Sequence, residues 1–197
     1  ECALATLSRG FANLDDDGQV PAFVFGDVET THLSVRNLSP IGESVPIDEL
    51  VKEYRCAISK NPSLSGPTSF APLIDKAVAV VKEAGYTFHV LVILADGEVS
   101  TTLNCFDKTK QAIVRASNVP LSIVMVGVGD GPWETMHTLD TQLPERKFDN
   151  FHFVPFATFH KQMRTKSAAE QRVAEAAFAV CALQEVPEQF KRISKLG

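Results

Sequence analysis

Two side chains in this sequence, Thr68 and Asp96, carry oxygen donors where an α/β protein binds ligands. Asp96 follows the run HVLVILA, residues 89 to 95, and precedes Gly97. The apolar part of that run, Val90 to Ala95, lacks helical spacing and is too short to cross a membrane, which predicts a parallel-type strand buried on both faces. Open parallel sheets bind ligands just beyond the carboxyl ends of their strands, so Asp96 is well placed for a metal or polar ligand. Asp-Gly is also a common turn pair, and taken alone it reads first as turn chemistry. Thr68 lies in the loop SLSGPTSFAP, residues 63 to 72, ahead of a helical pattern. Its hydroxyl is either a ligand or a helix cap, and Ser69 serves the capping role equally. Hard cations such as Mg2+ take hydroxyl and carboxylate oxygens and keep positions open for water or an incoming carboxylate. A further carboxylate, Asp27, stands just past a short apolar strand, but its recruitment to the same ion is not expected.

Other chemistries find less support. Gly127-Val128-Gly129-Asp130-Gly131 lacks the third glycine of the dinucleotide register, and no GxxxxGK[ST] loop is present. Its glycines more simply allow a tight turn from strand to helix, with Pro132 at the helix start. No GxSxG nucleophile turn occurs, and His32, His89, His137, His152 and His160 are spread without metal spacing. The run Asp15-Asp16-Asp17-Gly18 lacks the ligand register of a calcium loop and reads as a turn. Cys2, Cys56, Cys105 and Cys181 form no CxxC pair, which predicts free thiols in a reducing compartment.

The elements that must position Thr68 and Asp96 follow from periodicity. A chain of 197 residues suits a single core-rich domain. A net charge of −5, with 22% of residues charged, argues against a nucleic-acid surface. Lys161, Arg164 and Lys166, and likewise Lys191, Arg192 and Lys195, read as solvated helix faces. No run of eighteen apolar residues and no signal peptide is present, so this segment reads as soluble. The chain opens on Glu1 in what reads as mid-helix, so it is expected to be an excerpt of a longer protein.

Residues 1 to 14 predict a helix, Pro21 to Gly26 a strand, Thr31 to Val35 an edge strand, and Ile47 to the Asn61-Pro62 pair a helix. Leu73, Ile74, Ala77, Val78 and Val81 make one helical stripe, closed by Gly85. After Asp96 come a helix through Ile113 and Val114, a strand over Pro120 to Gly129, a short helix from Trp133 to Leu139, and a strand from Phe151 to Phe156. A long helix from Ala169 to Leu183 places Val173, Ala176, Ala177, Val180 and Cys181 on one face and stops before Pro187. Alternating strands and helices predict one α/β layer structure with parallel pairing.

Four segments then carry a family likeness. SGPTSFAPLI (65 to 74), FHVLVILADGEVS (88 to 100), AIVRASNVPLSIVMVGVGDGPWETMHTLD (112 to 140) and FDNFHFVPF (148 to 156) resemble the von Willebrand factor A-type domain of copines. They are equally similar to the same domain of plant RING-type ubiquitin ligases. The tail from Cys181 to Gln189 resembles the end of that domain. The likeness covers nearly the whole chain from Phe11 onward, so residues 1 to 197 are expected to form one such domain.

The resemblance implies a doubly wound, mostly parallel, Rossmann-like sheet flanked by helices, with a metal-ion-dependent adhesion site at its carboxyl edge. By resemblance Thr68 is the second-loop ligand and Asp96 the third-loop ligand for Mg2+, or for Mn2+ or Ca2+. The first loop, of Asp-x-Ser-x-Ser type, and the central strand that carries it are missing from this chain. The implied function is a non-catalytic interaction module that recruits acidic-motif protein partners. In copines it belongs to a cytoplasmic, calcium-dependent phospholipid-binding protein that reaches the plasma membrane through other domains. The alternative is the substrate-recruiting domain of a RING-type ubiquitin ligase. Gly129-Asp130-Gly131-Pro132-Trp133 and the Ala95-Asp96-Gly97 spelling lean towards the ligases. Val154-Pro155-Phe156 and the ALQEVPEQF tail lean towards copines, the reading favoured overall.

Overall fold

The computed structural model describes residues 1–12, 17–60, 63–164 and 167–195. Its centre is a parallel sheet of three strands in the order β5 (His89–Ala95), β6 (Leu121–Gly127) and β7 (Phe151–Pro155). The register runs Leu91 to Ile123 to Phe151 and Ile93 to Met125 to Phe153. Side chains alternate across a strand, so each strand feeds both faces and needs cover on both.

One face packs Ile93, Leu121, Ile123, Met125, Phe151 and Phe153 against α3 (Ala71–Glu83), α4 (Cys105–Ala116) and α5 (Glu134–Thr141). The other packs Val124, Val126 and Val154 against α1 (Cys2–Phe11), α6 (Phe156–Arg164) and α7 (Ala168–Leu183). A last helix, α8 (Val186–Ile193), seats Phe190 edge-on against Phe88, with ring centroids 5.2 Å apart. This is the helix-sheet-helix layering expected of the α/β class.

Strand β6 is buried along its whole length, as its unbroken apolar sequence predicts. Strand β5 differs from its prediction. Its side chains pack into both core clusters, but it is the edge of the sheet, and only Ile93 is fully buried. Among the described residues no strand pairs with its outer side. A row of backbone donors and acceptors is thereby left without a ladder partner, and the side chains beside it stay half-exposed.

The segment ahead of α3 does not join this sheet. The predicted strand Pro21–Gly26 is instead split between β1 (Gln19–Pro21) and β2 (Phe23–Val24), which pair antiparallel with β4 (Ser44–Pro46) and β3 (Arg36–Asn37). Thr31–Val35 is not a strand. The Leu33 and Ser34 amides both donate to the Thr30 carbonyl, and that turn uses the backbone groups a ladder would need. Helix α2 (Leu50–Ser59) begins three residues after Ile47, because the Glu49 amide first closes a turn onto Pro46. The predicted turn at Asp15-Asp16, the helical position Leu14 and the Asn61-Pro62 stop lie outside the described residues.

Helix α3 buries Leu73, Ile74, Ala77 and Val81, the stripe its sequence predicts. Helix α7 buries a different stripe from the predicted one. Ala174, Phe178 and Ala182, four residues apart, face the sheet, whereas Val173 and Val180 are 69% and 70% exposed. The helix is apolar on nearly every side, so the bulkiest ring decides the buried face. Phe178 meets Phe156 edge-on at 4.9 Å and Phe159 at 5.4 Å. Pro187 does not merely stop α7, because it occupies the first turn of α8, where a missing amide is no loss. The four cysteines are free. Among the described residues no helix is long and apolar enough to cross a membrane.

This packing makes a sharp distinction within one helix. Phe178→Ala should lower the unfolding free energy by about 3–5 kcal/mol. Val180→Ala, two residues on, should change it by less than about 0.5 kcal/mol, both read by denaturant titration.

Candidate functional site

The ladder between β5 and β6 ends with Ala95 opposite Gly127, so the loops that follow leave the sheet side by side. The Val128 amide continues the pairing onto the Ala95 carbonyl at 2.8 Å. A side chain on Gly129 would come within 3.2 Å of the Asp96 carbonyl oxygen, so the two turns nearly touch. Glu98 joins them as well. Its Oε2 accepts from the Thr135 amide at 2.9 Å and the Thr135 hydroxyl at 2.8 Å, placing a carboxylate at the first turn of α5, where the helix dipole favours it. On the far side Trp133 closes over the strand end. A Cβ on Gly127 would stand 2.8 Å from its ring, so only glycine allows that approach.

Thr68 arrives from the loop before α3. The Ser100 amide donates to the Thr68 carbonyl at 3.0 Å, which ties this loop to the one that follows Asp96. At the start of α3 the N-cap residue is Phe70, which has no side-chain cap. Buried Ser69 accepts from the Ala71 amide, the first of α3, at 3.4 Å, and Thr109 accepts from Phe70 at 3.2 Å. Thr68 is half-buried and makes no capping bond to α3. Among the described residues neither its hydroxyl nor the exposed Asp96 carboxylate makes a hydrogen bond or ion pair.

Asp27 is fully committed elsewhere. Its Oδ1 accepts from the Glu29 and Thr30 amides and the Thr30 hydroxyl, and its Oδ2 accepts from Arg36 Nε at 3.1 Å and Nη2 at 2.8 Å. Burial pushes this carboxyl up, but the Thr30 hydrogen bonds and the Arg36 guanidinium outweigh it and hold the group at about 2. That carboxylate organises its own loop, with both oxygens engaged.

A hydroxyl and a carboxylate oxygen, both uncommitted and on loops bonded to each other, are the donor types a hard divalent cation takes. Among the described residues no three His, Cys, Asp or Glu side chains cluster to hold a metal, so these two do not complete a coordination shell. Glu98, Thr135 and Ser100, which brace the site, carry no sequence signal. Glu98 and Thr135 are 37 residues apart, and only the parallel ladder brings them together.

Comparison with known proteins gives this geometry a context. The model of the copine family matches residues 1–197. E3 ubiquitin-protein ligase RGLG3 of Arabidopsis thaliana is 42% identical over 206 residues, covering 100% of this chain and 54% of the ligase. Copine family protein 2 of Caenorhabditis elegans is 41% identical over 196 residues, covering 97% of this chain and 2% of that protein. Copine-C of Dictyostelium discoideum is 34% identical over 146 residues, 70% of this chain and 26% of that protein. The chain thus spans about half the length of the ligase and a smaller share of the other two.

The Asp27 network should appear in acid. A carboxyl depressed in the fold adds stability that is complete above 3.8 and is lost as pH falls towards about 2. Arg36 is partly solvated, so the loss should be on the order of 1–2 kcal/mol. Denaturant titrations across that range should show it in the natural chain and not in Asp27→Asn, which is less stable at neutral pH.

Proposed function

The chain belongs to the copine family, and from that premise we propose that it is a non-catalytic interaction module that recruits acidic protein partners through a divalent cation. The observation that carries this reading is the state of Thr68. Ser69, not Thr68, accepts from the Ala71 amide, and the Thr68 hydroxyl and Asp96 carboxylate are left uncommitted on two loops joined by the Ser100 hydrogen bond. A bound Mg2+, or Mn2+ or Ca2+, would supply a hard Lewis acid able to take a partner's carboxylate as a ligand.

In this reading Thr68 and Asp96 hold two positions of the ion. Glu98 keeps the Asp96 turn in place by anchoring to Thr135, and Ser100 keeps the Thr68 loop beside it. Loops braced in this way lose little freedom on binding, which favours affinity. The free side of β5 supports a further element of the proposal. In a longer protein, a strand laid along His89–Ala95 would bring a first loop of Asp-x-Ser-x-Ser type to the same edge and supply the remaining oxygens.

The copine family supports placing the module in a calcium-dependent phospholipid-binding protein, cytoplasmic and carried to the plasma membrane by other domains. A second reading rests on the 42% identity to an E3 ubiquitin-protein ligase and on the ligase-like loop Gly129–Trp133. There the same module selects the protein to be ubiquitinated, and catalysis belongs to a different domain. Both readings ask the same act of Thr68 and Asp96. Peptide mapping of the natural protein separates them, through calcium-binding membrane domains upstream or a cysteine- and histidine-rich RING downstream.

The test of the shared claim uses immobilised peptides containing Asp or Glu, probed with the natural protein in Mg2+ and in chelator. Binding should require the metal and weaken at least about tenfold in Asp96→Ala and Thr68→Ala, with the denaturation midpoint unchanged. Mg2+-dependent capture undiminished in Asp96→Ala would refute the site.

A further inference from the structure

We propose that His152 is a buried imidazolium that ties α7 and the α7–α8 junction to the sheet, through a hydrogen bond at Nε2 and ion pairs at Nδ1, so that attachment of this segment depends on pH. The argument begins with the ring's surroundings. His152 lies on β7, and its side chain is only 8% exposed. Nε2 is 3.1 Å from the carbonyl oxygen of Cys181 in α7. Nδ1 is 3.1 Å from Oε1 of Glu185, the residue between α7 and α8, and 3.7 Å from Oδ1 of Asp140 in α5.

Every one of these neighbours is an acceptor. A neutral imidazole carries one N–H and one lone pair, so either tautomer would turn a lone pair towards an oxygen. Only the imidazolium presents a donor on both sides. The Gln184 amide nitrogen, 3.5 Å from Nε2, is farther away than the Cys181 carbonyl and does not displace it. Nδ1 makes no well-directed hydrogen bond, so it sits between the two carboxylates as an ion-pair partner to both.

The clasp joins three parts of the fold. Asp140 also accepts from the Phe153 amide at 2.9 Å, which fixes α5 to the neighbouring residue of β7. Glu185 also accepts from Nε2 of buried Gln189 at 3.4 Å, which carries the tie into the first turns of α8. Beyond them Asp149 adds negative charge and Arg146 positive charge, and those two pair with each other. The Cys181 thiol is pushed up by burial and stays neutral.

Burial alone would push His152 down. The Asp140 and Glu185 carboxylates outweigh it and raise the group above its ordinary 6.5. Glu185 is itself pushed up by burial, with the His152 charge drawing it back. The sign follows from linkage: a base raised in the fold adds stability that is complete below 6.5 and disappears as pH rises through the folded value. Loss of the imidazolium leaves Glu185 and Asp140 facing each other with no charge between them, Arg146 being already paired with Asp149. Released, the segment 184–193 uncovers Phe88 at the start of β5.

The test follows the His152 ring nitrogens by NMR together with amide exchange of residues 184–193 from pH 5.5 to 8.5. His152 should carry both protons at pH 6.5 and titrate above that value. Protection of 184–193 should fall through the same titration, by about tenfold for each unit by which the folded value exceeds 6.5. In Glu185→Gln, a change at a partly exposed side chain, the His152 titration and the loss of protection should move down together. A neutral tautomer at pH 6.5 would overturn the proposal. So would protection of 184–193 that stays constant across the His152 titration.

Discussion

The in-register parallel ladder of β5 on β6 on β7 is the constraint on which the rest of the structure depends. Parallel pairing sends every strand's carboxyl end to the same side, so residues distant in sequence leave the sheet as neighbouring loops. It also obliges both faces to be covered, and two layers of helices supply that cover. Asp96, Glu98, Gly129 and Trp133 are close because Ala95 stands opposite Gly127. Thr68 joins them through one hydrogen bond from Ser100. Among the described residues no strand pairs with the outer side of β5, the strand that presents Asp96.

The same division of labour recurs around the molecule. Asp27 is bound by Thr30 and Arg36, and Ser69 accepts from the first amide of α3. Buried polar groups are costly unless paired, which is why such networks close on themselves. Against that background the uncommitted Thr68 hydroxyl and Asp96 carboxylate stand out. The His152 clasp lies on a separate part of the fold, where α5, β7 and the α7–α8 junction meet.

Much of this fold was legible in the sequence, and the exceptions have physical causes. The apolar run of β6 and the stripe of α3 read correctly because burial there has a single direction. The strand that precedes Asp96 also read correctly as a strand, but a sequence carries no mark of whether a neighbour is present, so its place at the edge did not show. Helix α7 misled because alanine and valine surround it. The choice of buried face rests on Phe178 meeting two other rings, a tertiary fact. Thr31–Val35 alternates like a strand yet lies in a turn closed by Thr30, where local hydrogen bonds outcompete a ladder. Thr68 and Asp96 were legible as candidates because each sits at a boundary between elements. Their braces, Glu98 with Thr135 and Ser100 with Thr68, depend on pairing across the sheet and left no local pattern.

The most direct measurement of the central claim is paramagnetic broadening of backbone amide signals as Mn2+ is added to the natural protein in place of Mg2+. The account requires that amides of 68–69 and 95–100 broaden first, at Mn2+ concentrations where 27–30 and 145–152 remain sharp, and that Mg2+ reverses the effect. Broadening centred on Asp27, or spread evenly over exposed carboxylates with Thr68 and Asp96 unaffected, would contradict it.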